Sequence, residues 1–229
     1  MKQGLSDYVD YFLYTVKQIE VAKTTFVGYE NICKNIKAYF VHQTLDEIKK
    51  RDIQCYFKYL SDKKISINTI RKHYDLLNQI FRSAIDDELI LTNPLSRLKK
   101  PKREDFFCEV YNEQESLCLL KASKGTDLFL PIVFALLLGL RRGEICGLTW
   151  NRVNLEEQYL LLTDSRTTAG TEIVTKKVKT TSSVRKIYLS TFLKELLEQE
   201  KQQQRLPQEE IEQGYVCLRQ KNMEPIHPD

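Results

Sequence analysis

The sequence predicts an α+β protein, mainly α: a helical N-terminal bundle followed by a mixed domain with a three-stranded antiparallel sheet. Three observations carry this. Apolar residues recur at helical spacing through the first part of the chain, where glycine is nearly absent after Gly28. A proline- and lysine-rich break, Asn93-Pro94 and then LKKPKRED, ends that part. Beyond Trp150, β-branched residues alternate or cluster between turn formers.

Each element has its own signal. Tyr8, Phe12, Val16 and Ile19 form one helical stripe, and Tyr29, Ile32, Ile36, Tyr39 and Phe40 form the next. Thr44 and Asp46 precede LDEIKKRDIQCYFKYL as candidate caps, and Ser66 opens a helix striped by Ile70, Leu76, Leu77, Ile80 and Phe81. These make a bundle of four or five helices over residues 1–96. The basic segment 97–110 reads as a linker, and residues 111–229 as a second domain. There, EVYNEQESLCLLKAS starts a helix near Asn112 or Glu113. DLFLPIVFALLLGL is apolar on nearly every face and is expected at the centre of the second core. NRVNLEEQYLLLTDS, TEIVTKKVKTTS and SVRKIYLS are the three expected strands. TFLKELLEQEKQQQRL restores a helix, and YVCLRQKNMEPIHPD reads as a short strand and a turn.

With 229 residues, 42% of them hydrophobic, the chain can build two modest cores. No stretch approaches the roughly 18 uncharged apolar residues of a membrane span, and the N-terminus carries carboxylates where a signal peptide would be apolar, so a cytoplasmic location is expected. Six scattered cysteines with no Cys-x-x-Cys pair, and three distant histidines, argue against disulfides and zinc. The thiols are expected to serve as small core residues. The net charge of +4 is unevenly spread: about 19 basic against 12 acidic side chains lie up to Arg103, and the remainder is slightly acidic. The first part is therefore the candidate for contacting a polyanion. No Gly-rich phosphate loop or cluster of metal-binding carboxylates points to another kind of phosphate-ester enzyme.

The chemistry-bearing stretch is LGLRRGEICGLTW. It sets Arg141 and Arg142 straight after the most apolar segment, with Glu144 three residues on. Two readings stand side by side. Glu144 pairs with an arginine at a solvated helix end, or one arginine faces a cleft and holds a phosphate in its fork of donors while Glu144 holds its neighbour or the backbone. Further on, KKVKTTSSVRKIYL gathers Lys176, Lys177, Lys179, Arg185 and Lys186 around a hydroxyl-rich turn. Such lysines either blunt a sheet edge or present a proton donor to a leaving oxygen.

Together these two stretches resemble the tyrosine recombinase family, the phage-type integrases. LGLRRGEICGLTW is similar to the family's G-L-R-x-x-E-x-x-x-L-x-W box, with Arg141, Glu144, Leu148 and Trp150 in step. VKTTSSVRKIYL is similar to its K-T-x-x-S-x-R-x-I-x-L hairpin, with Tyr188 where most members have proline. The resemblance implies a SAM-like core-binding domain over the N-terminal bundle. It also implies strand exchange through a phosphotyrosine intermediate, using protein cations and no metal or cofactor. Arg141 would clamp the scissile phosphate, Lys179 would protonate the leaving 5′ oxygen, and Glu144 would orient Arg141. The implied partners are double-stranded DNA and other recombinase protomers bound to it. Lys63, Lys64, Asn68, Thr69, Arg71 and Lys72 at a helix start, Lys99, Lys100, Lys102 and Arg103 in the linker, and Arg185 are the candidate DNA contacts, whereas Arg142 is expected to be surface charge. The family's H-x-L-R-H box and terminal tyrosine do not occur before Asp229, and His227 is expected to be a loop residue. The chain is accordingly expected to be a C-terminally truncated recombinase that binds DNA. The alternative is a noncatalytic DNA-binding or interaction protein derived from an integrase.

Overall fold

The computed structural model describes residues 3–177, 184–204 and 214–228. They divide into two compact units, Met1–Cys108 and Glu109–Asp229.

The first unit is a helical bundle. Helix α1 (Leu5–Tyr11) runs without a break through a π-helical stretch, Phe12–Lys17, into the single turn of α2 (Gln18–Glu20). Leu5, Tyr8, Val9, Phe12 and Leu13 fall at the i, i+3, i+4, i+7, i+8 positions of one face and are all buried. Ile19, expected on that stripe, is exposed. The i→i+5 bonding of the π stretch adds residues per turn and rotates the turn after it away from the core. Helix α3 (Lys23–Tyr39) buries Ile32, Cys33 and Ile36, and α4 (Lys50–Asp62) buries Ile53, Tyr56 and Leu60. The longest, α5 (Ile67–Asp86), buries seven side chains from Ile70 to Ala84.

Caps explain where these helices start. Ser66 accepts the amide of Thr69 at 3.3 Å, as its position suggested. Helix α4 starts later than Thr44 and Asp46 would set it. Residues 44–49 form a turn that buries Leu45 and Ile48, and the carboxylate of Asp52 takes the Lys49 amide at 2.8 Å, so the helix begins at Lys50.

One polar pair lies inside this core. The Tyr56 hydroxyl and His73 Nδ1 share a hydrogen bond of 2.8 Å, with His73 only 2% exposed. Burial holds the imidazole down to about 4, so it is neutral over the physiological range.

The second unit opens with α6 (Glu113–Ser123). Asn112 accepts the Glu115 amide at 2.9 Å while the Glu115 carboxylate takes the Asn112 amide at 2.8 Å. Helix α7 (Phe129–Leu138) stops at Gly139, whose φ of 62° is a left-handed conformation that a residue with a Cβ adopts at a cost. The apolar composition of α7 suggested a helix enclosed on all sides. Instead it packs against α6 and α8 (Arg142–Gly147) and buries Leu130, Val133 and Phe134, while Leu137 and Leu128, just before it, are more than half exposed.

A turn of 3-10 helix, Trp150–Arg152, leads into the sheet. β1 (Val153–Asn154), β2 (Tyr159–Leu162) and β5 (Arg185–Tyr188) form a three-stranded antiparallel sheet in the order β1-β2-β5. Its membership differs from the expected one. β4 (Glu172–Lys177) pairs with β3 (Asp164–Ala169) in a separate two-stranded hairpin, and NRVNLEEQYLLLTDS contributes β1, β2 and the start of β3. Helix α9 (Thr191–Gln203) covers the sheet side of the core with Leu193 and Leu197. The last described stretch makes two isolated bridges, Thr149 with Tyr215 and Leu218 with Pro225, in place of a further strand. The Trp150 indole donates to Gln204 at 2.7 Å, and Gln204 donates on to the Val216 carbonyl at 2.9 Å, joining α9 to this closing segment. All six cysteines are free; Cys33, Cys146 and Cys217 are core residues as expected, while Cys55, Cys108 and Cys118 are exposed. No helix among the described residues is long and apolar enough to cross a membrane.

Candidate active site and nucleic-acid interface

The short helix α8 organises the second unit's polar centre. Arg141 sits just before it in an extended conformation (φ −72°, ψ 149°), so its side chain leaves the helix start while its amide points into the first turn. That amide donates to Glu144 Oε2 at 2.9 Å. Glu144 is 3% exposed, which would be costly for a lone carboxylate. It is not alone. Arg185, 41 residues on at the start of β5, places Nη1 on Oε1 and Nη2 on Oε2, both at 2.8 Å, and Arg141 Nη1 reaches Oε1 at 3.1 Å. The Arg185 bonds are the largest reason the Glu144 carboxyl is held down to about 2, ahead of the opposing effect of burial and the bonds from Arg141. The same pairing raises the Arg185 guanidinium.

Glu144 therefore pairs with Arg141, as the first reading had it, and it also ties α8 to the sheet through Arg185. The Arg141 side chain is still 77% exposed, so most of its donor fork faces solvent. The result is a guanidinium tethered through Nη1 to Glu144, with its remaining donors facing solvent.

The hairpin that leads to Lys179 is packed against α8. A Cβ on Gly147 would lie 2.9 Å from the Arg166 amide nitrogen, and one on Gly143 would lie 2.4 Å from Ser165 Oγ. These glycines, four apart on one helix face, let the backbone of β3 approach α8. Their spacing was visible in the sequence; what they face was not. Arg166 is locked beyond them, donating to the Ile226 carbonyl at 2.8 Å and lying 4.9 Å from the Tyr215 ring centre. Lys179 and the turn Thr180–Ser183 lie outside the described residues. His227 is an exposed residue in an irregular segment. Tyr111 and Tyr188 are both exposed. Among the described residues, no three His, Cys, Asp or Glu side chains cluster closely enough to hold a metal ion.

The candidate DNA contacts of the first unit separate into two groups. Lys64 occupies a left-handed turn (φ 59°) beside Lys63, whose ammonium lies 4.5 Å from the Tyr59 ring centre; both lysines are exposed, as is Lys72. Lys99, Lys102 and Arg103 are exposed as well. The others have partners within the unit. Thr69 Oγ1 is 2.9 Å from Ser66 Oγ, Lys100 pairs with Asp75 at 2.6 Å, Arg71 donates to the Pro101 carbonyl, and Asn68 Nδ2 donates to the Glu104 carbonyl at 2.9 Å. Arg185 likewise spends its fork on Glu144.

The fold superposes on the Tn1549 transposon integrase in complex with transposon right end DNA, with a TM-score of 0.79 at 20% identity over 99% of this chain and 74% of that one. It also superposes on a lambda integrase tetramer bound to a Holliday junction, with a TM-score of 0.74 at 18% identity over 99% of this chain and 60% of that one. Residues 5–101 match the phage integrase SAM-like domain. A tyrosine recombinase XerC-like protein of Caldanaerobacter subterraneus subsp. tengcongensis is 25% identical over 93% of this chain and 59% of its own length. The ICEBs1 integrase of Bacillus subtilis is 25% identical over 76% of this chain and 48% of its length. The first unit therefore carries a phage integrase SAM-like domain, and the chain as a whole is similar to tyrosine recombinases and integrases. It spans about half to three-fifths of the length of these two relatives.

Proposed function

We propose that this chain binds duplex DNA as part of a site-specific recombinase of a mobile element, and that its second unit supplies the first half of a phosphotyrosine-forming active site. One observation carries the reading: Arg141 is anchored at its base by a buried, doubly paired Glu144 and presents its guanidinium to solvent. In this role Arg141 holds the nonbridging oxygens of the scissile phosphate and offsets the charge that develops there. Glu144 orients Arg141, and Lys179 delivers a proton to the leaving 5′ oxygen. Residues 1–96 act as the core-binding domain, 97–110 as the linker and 111–229 as catalytic-domain structure.

Lys63, Lys64, Lys72, Lys99, Lys102 and Arg103 are the exposed cations suited to the DNA backbone. Thr69, Lys100 and Arg185, each already partnered within its unit, are secondary candidates. Further protomers assemble on the same DNA, and a genomic substrate places the protein in the cytoplasm.

The test is a titration of the 229-residue chain with duplex DNA across a range of salt. Counterion release by several phosphate contacts predicts an affinity that falls by orders of magnitude, on the order of 10³-fold, between about 50 and 200 mM salt. Binding that ignores salt would remove the basis for the reading. On a nicked suicide duplex the chain is expected to form no covalent complex. A DNA-linked tyrosine would show instead that one of its own twelve tyrosines is a nucleophile.

A further inference from the structure

The basic segment that comes after α5 is not a free tether. Residues 98–104 run antiparallel along α5 and are tied to it at four places. The Tyr74 hydroxyl donates to the Leu98 carbonyl at 3.0 Å, Lys100 pairs with Asp75 at 2.6 Å, and Arg71 donates to the Pro101 carbonyl. Asn68 closes the series with a reciprocal pair: its Nδ2 donates to the Glu104 carbonyl at 2.9 Å, and its Oδ1 accepts the Glu104 amide at 3.3 Å. Asn68, Arg71 and Asp75 succeed one another at helical spacing along one face of α5.

Three of these four ties grip main-chain atoms. That choice matters for charge. The segment carries Lys99, Lys100, Lys102 and Arg103, and a helix face lined with carboxylates would have held it by neutralising them. An amide, a phenol and a guanidinium hold the backbone instead, and Lys99, Lys102 and Arg103 are exposed. A lysine-rich segment lacking regular structure loses conformational freedom when it settles on a polyanion; one already held in place has lost it beforehand.

We infer that Asn68 and Arg71 are positioning residues: they clamp the linker backbone to α5 so that Lys99, Lys102 and Arg103 form a preset track for DNA phosphates, and they do not themselves contact DNA. This rests on the proposed DNA-binding function. It assigns a role that neither residue's type nor its place at a helix start would suggest.

The experiment compares Asn68→Ala, Arg71→Gln and Lys72→Ala in the full 229-residue chain, measuring trypsin cleavage at Lys102–Arg103 and duplex affinity against salt. Circular dichroism confirms that each variant is folded. Losing the reciprocal pair in Asn68→Ala is expected to speed cleavage about tenfold, and to weaken DNA binding several-fold although no charge is removed. Arg71→Gln, which does remove a charge, is expected to speed cleavage and weaken binding likewise, with the salt slope unchanged. Lys72→Ala is expected to weaken binding and lower the salt slope by about one, with cleavage unchanged.

Wild-type cleavage rates in Asn68→Ala would overturn the clamp. Faster cleavage with unchanged affinity would overturn its link to DNA. A lower salt slope in Arg71→Gln with unchanged cleavage would make Arg71 a direct phosphate contact and overturn its positioning role. If the wild-type chain binds no duplex at all, the recombinase reading fails, and the cleavage rates still decide whether the linker is clamped.

Discussion

Each unit of this protein buries a titratable side chain, and the two are treated in opposite ways. In the first unit His73 is enclosed with one neutral partner, Tyr56, and burial keeps it uncharged. In the second, Glu144 is enclosed with two guanidinium groups and is kept charged. The neutral pair fills a helical core and leaves no trace at the surface. The charged cluster fixes the base of a side chain, Arg141, whose head is in solvent. A buried charge is weak evidence for stability as such, but it defines geometry, because removing Glu144 leaves the guanidinium of Arg185 without its partner. The first unit is thus built to pack, and the second to hold a cation in place.

The sharpest way to break this contrast is Glu144→Ala. It strands Arg185 beside the sheet and is expected to destabilise the second unit by about 3–5 kcal/mol, leaving the first unit unchanged. Trp150, the only tryptophan of the chain, is buried in the second unit, so its fluorescence reports that unit alone while far-UV circular dichroism tracks the helices of both.

Acid titration sharpens the same contrast. His73 in the unfolded chain gains a proton near its ordinary 6.5, whereas the folded chain resists until about 4. Its contribution is therefore complete above about 6.5 and is lost as pH falls toward 4, amounting to roughly 3 kcal/mol at about 1.4 kcal/mol per unit. Glu144 contributes fully above its ordinary 4.5, and that contribution is lost as pH falls through about 2. The first unit should weaken between pH 6.5 and 4 while Trp150 still reports a folded second unit. Simultaneous loss of both signals would contradict the separation.

A smaller effect is expected from Gly147→Ala. Its Cβ would meet the backbone of Arg166 at 2.9 Å, and forcing β3 away from α8 is expected to cost about 1–3 kcal/mol, seen as a lower midpoint for Trp150 in urea. Unchanged stability would show that the close approach of helix and hairpin is dispensable.

Much of this was legible in the sequence because it is local. The caps at Ser66 and Asn112, the stripe of α5 and the arginine-glutamate spacing of LGLRRGEICGLTW all depend on residues a few positions apart. What escaped is long-range. Nothing in SVRKIYL says that Arg185 belongs to Glu144, 41 residues earlier, so it read as a surface or DNA-facing cation. Nothing in INTIRKHY says that Asn68 and Arg71 face a linker 30 or more residues later. The strand TEIVTKK was recognisable as a strand, but its pairing with β3 in a separate hairpin depends on register across the turn at Gly170. Ile19 was misplaced for a local reason that periodicity at 3.6 residues cannot represent, the π-helical stretch before it.

The central claim is that Arg141 is held by Glu144 for a phosphate and not for the fold. It is tested most directly by Arg141→Ala, with unfolding by Trp150 fluorescence and duplex affinity against salt measured on the same preparation. The backbone amide that caps Glu144 and both Arg185 bonds survive this substitution. Stability is therefore expected to stay within about 0.5 kcal/mol of wild type, while DNA affinity falls about tenfold and the salt slope drops by about one. Wild-type affinity in Arg141→Ala, or a loss of stability approaching that of Glu144→Ala, would contradict it and return Arg141 to the role of a structural partner.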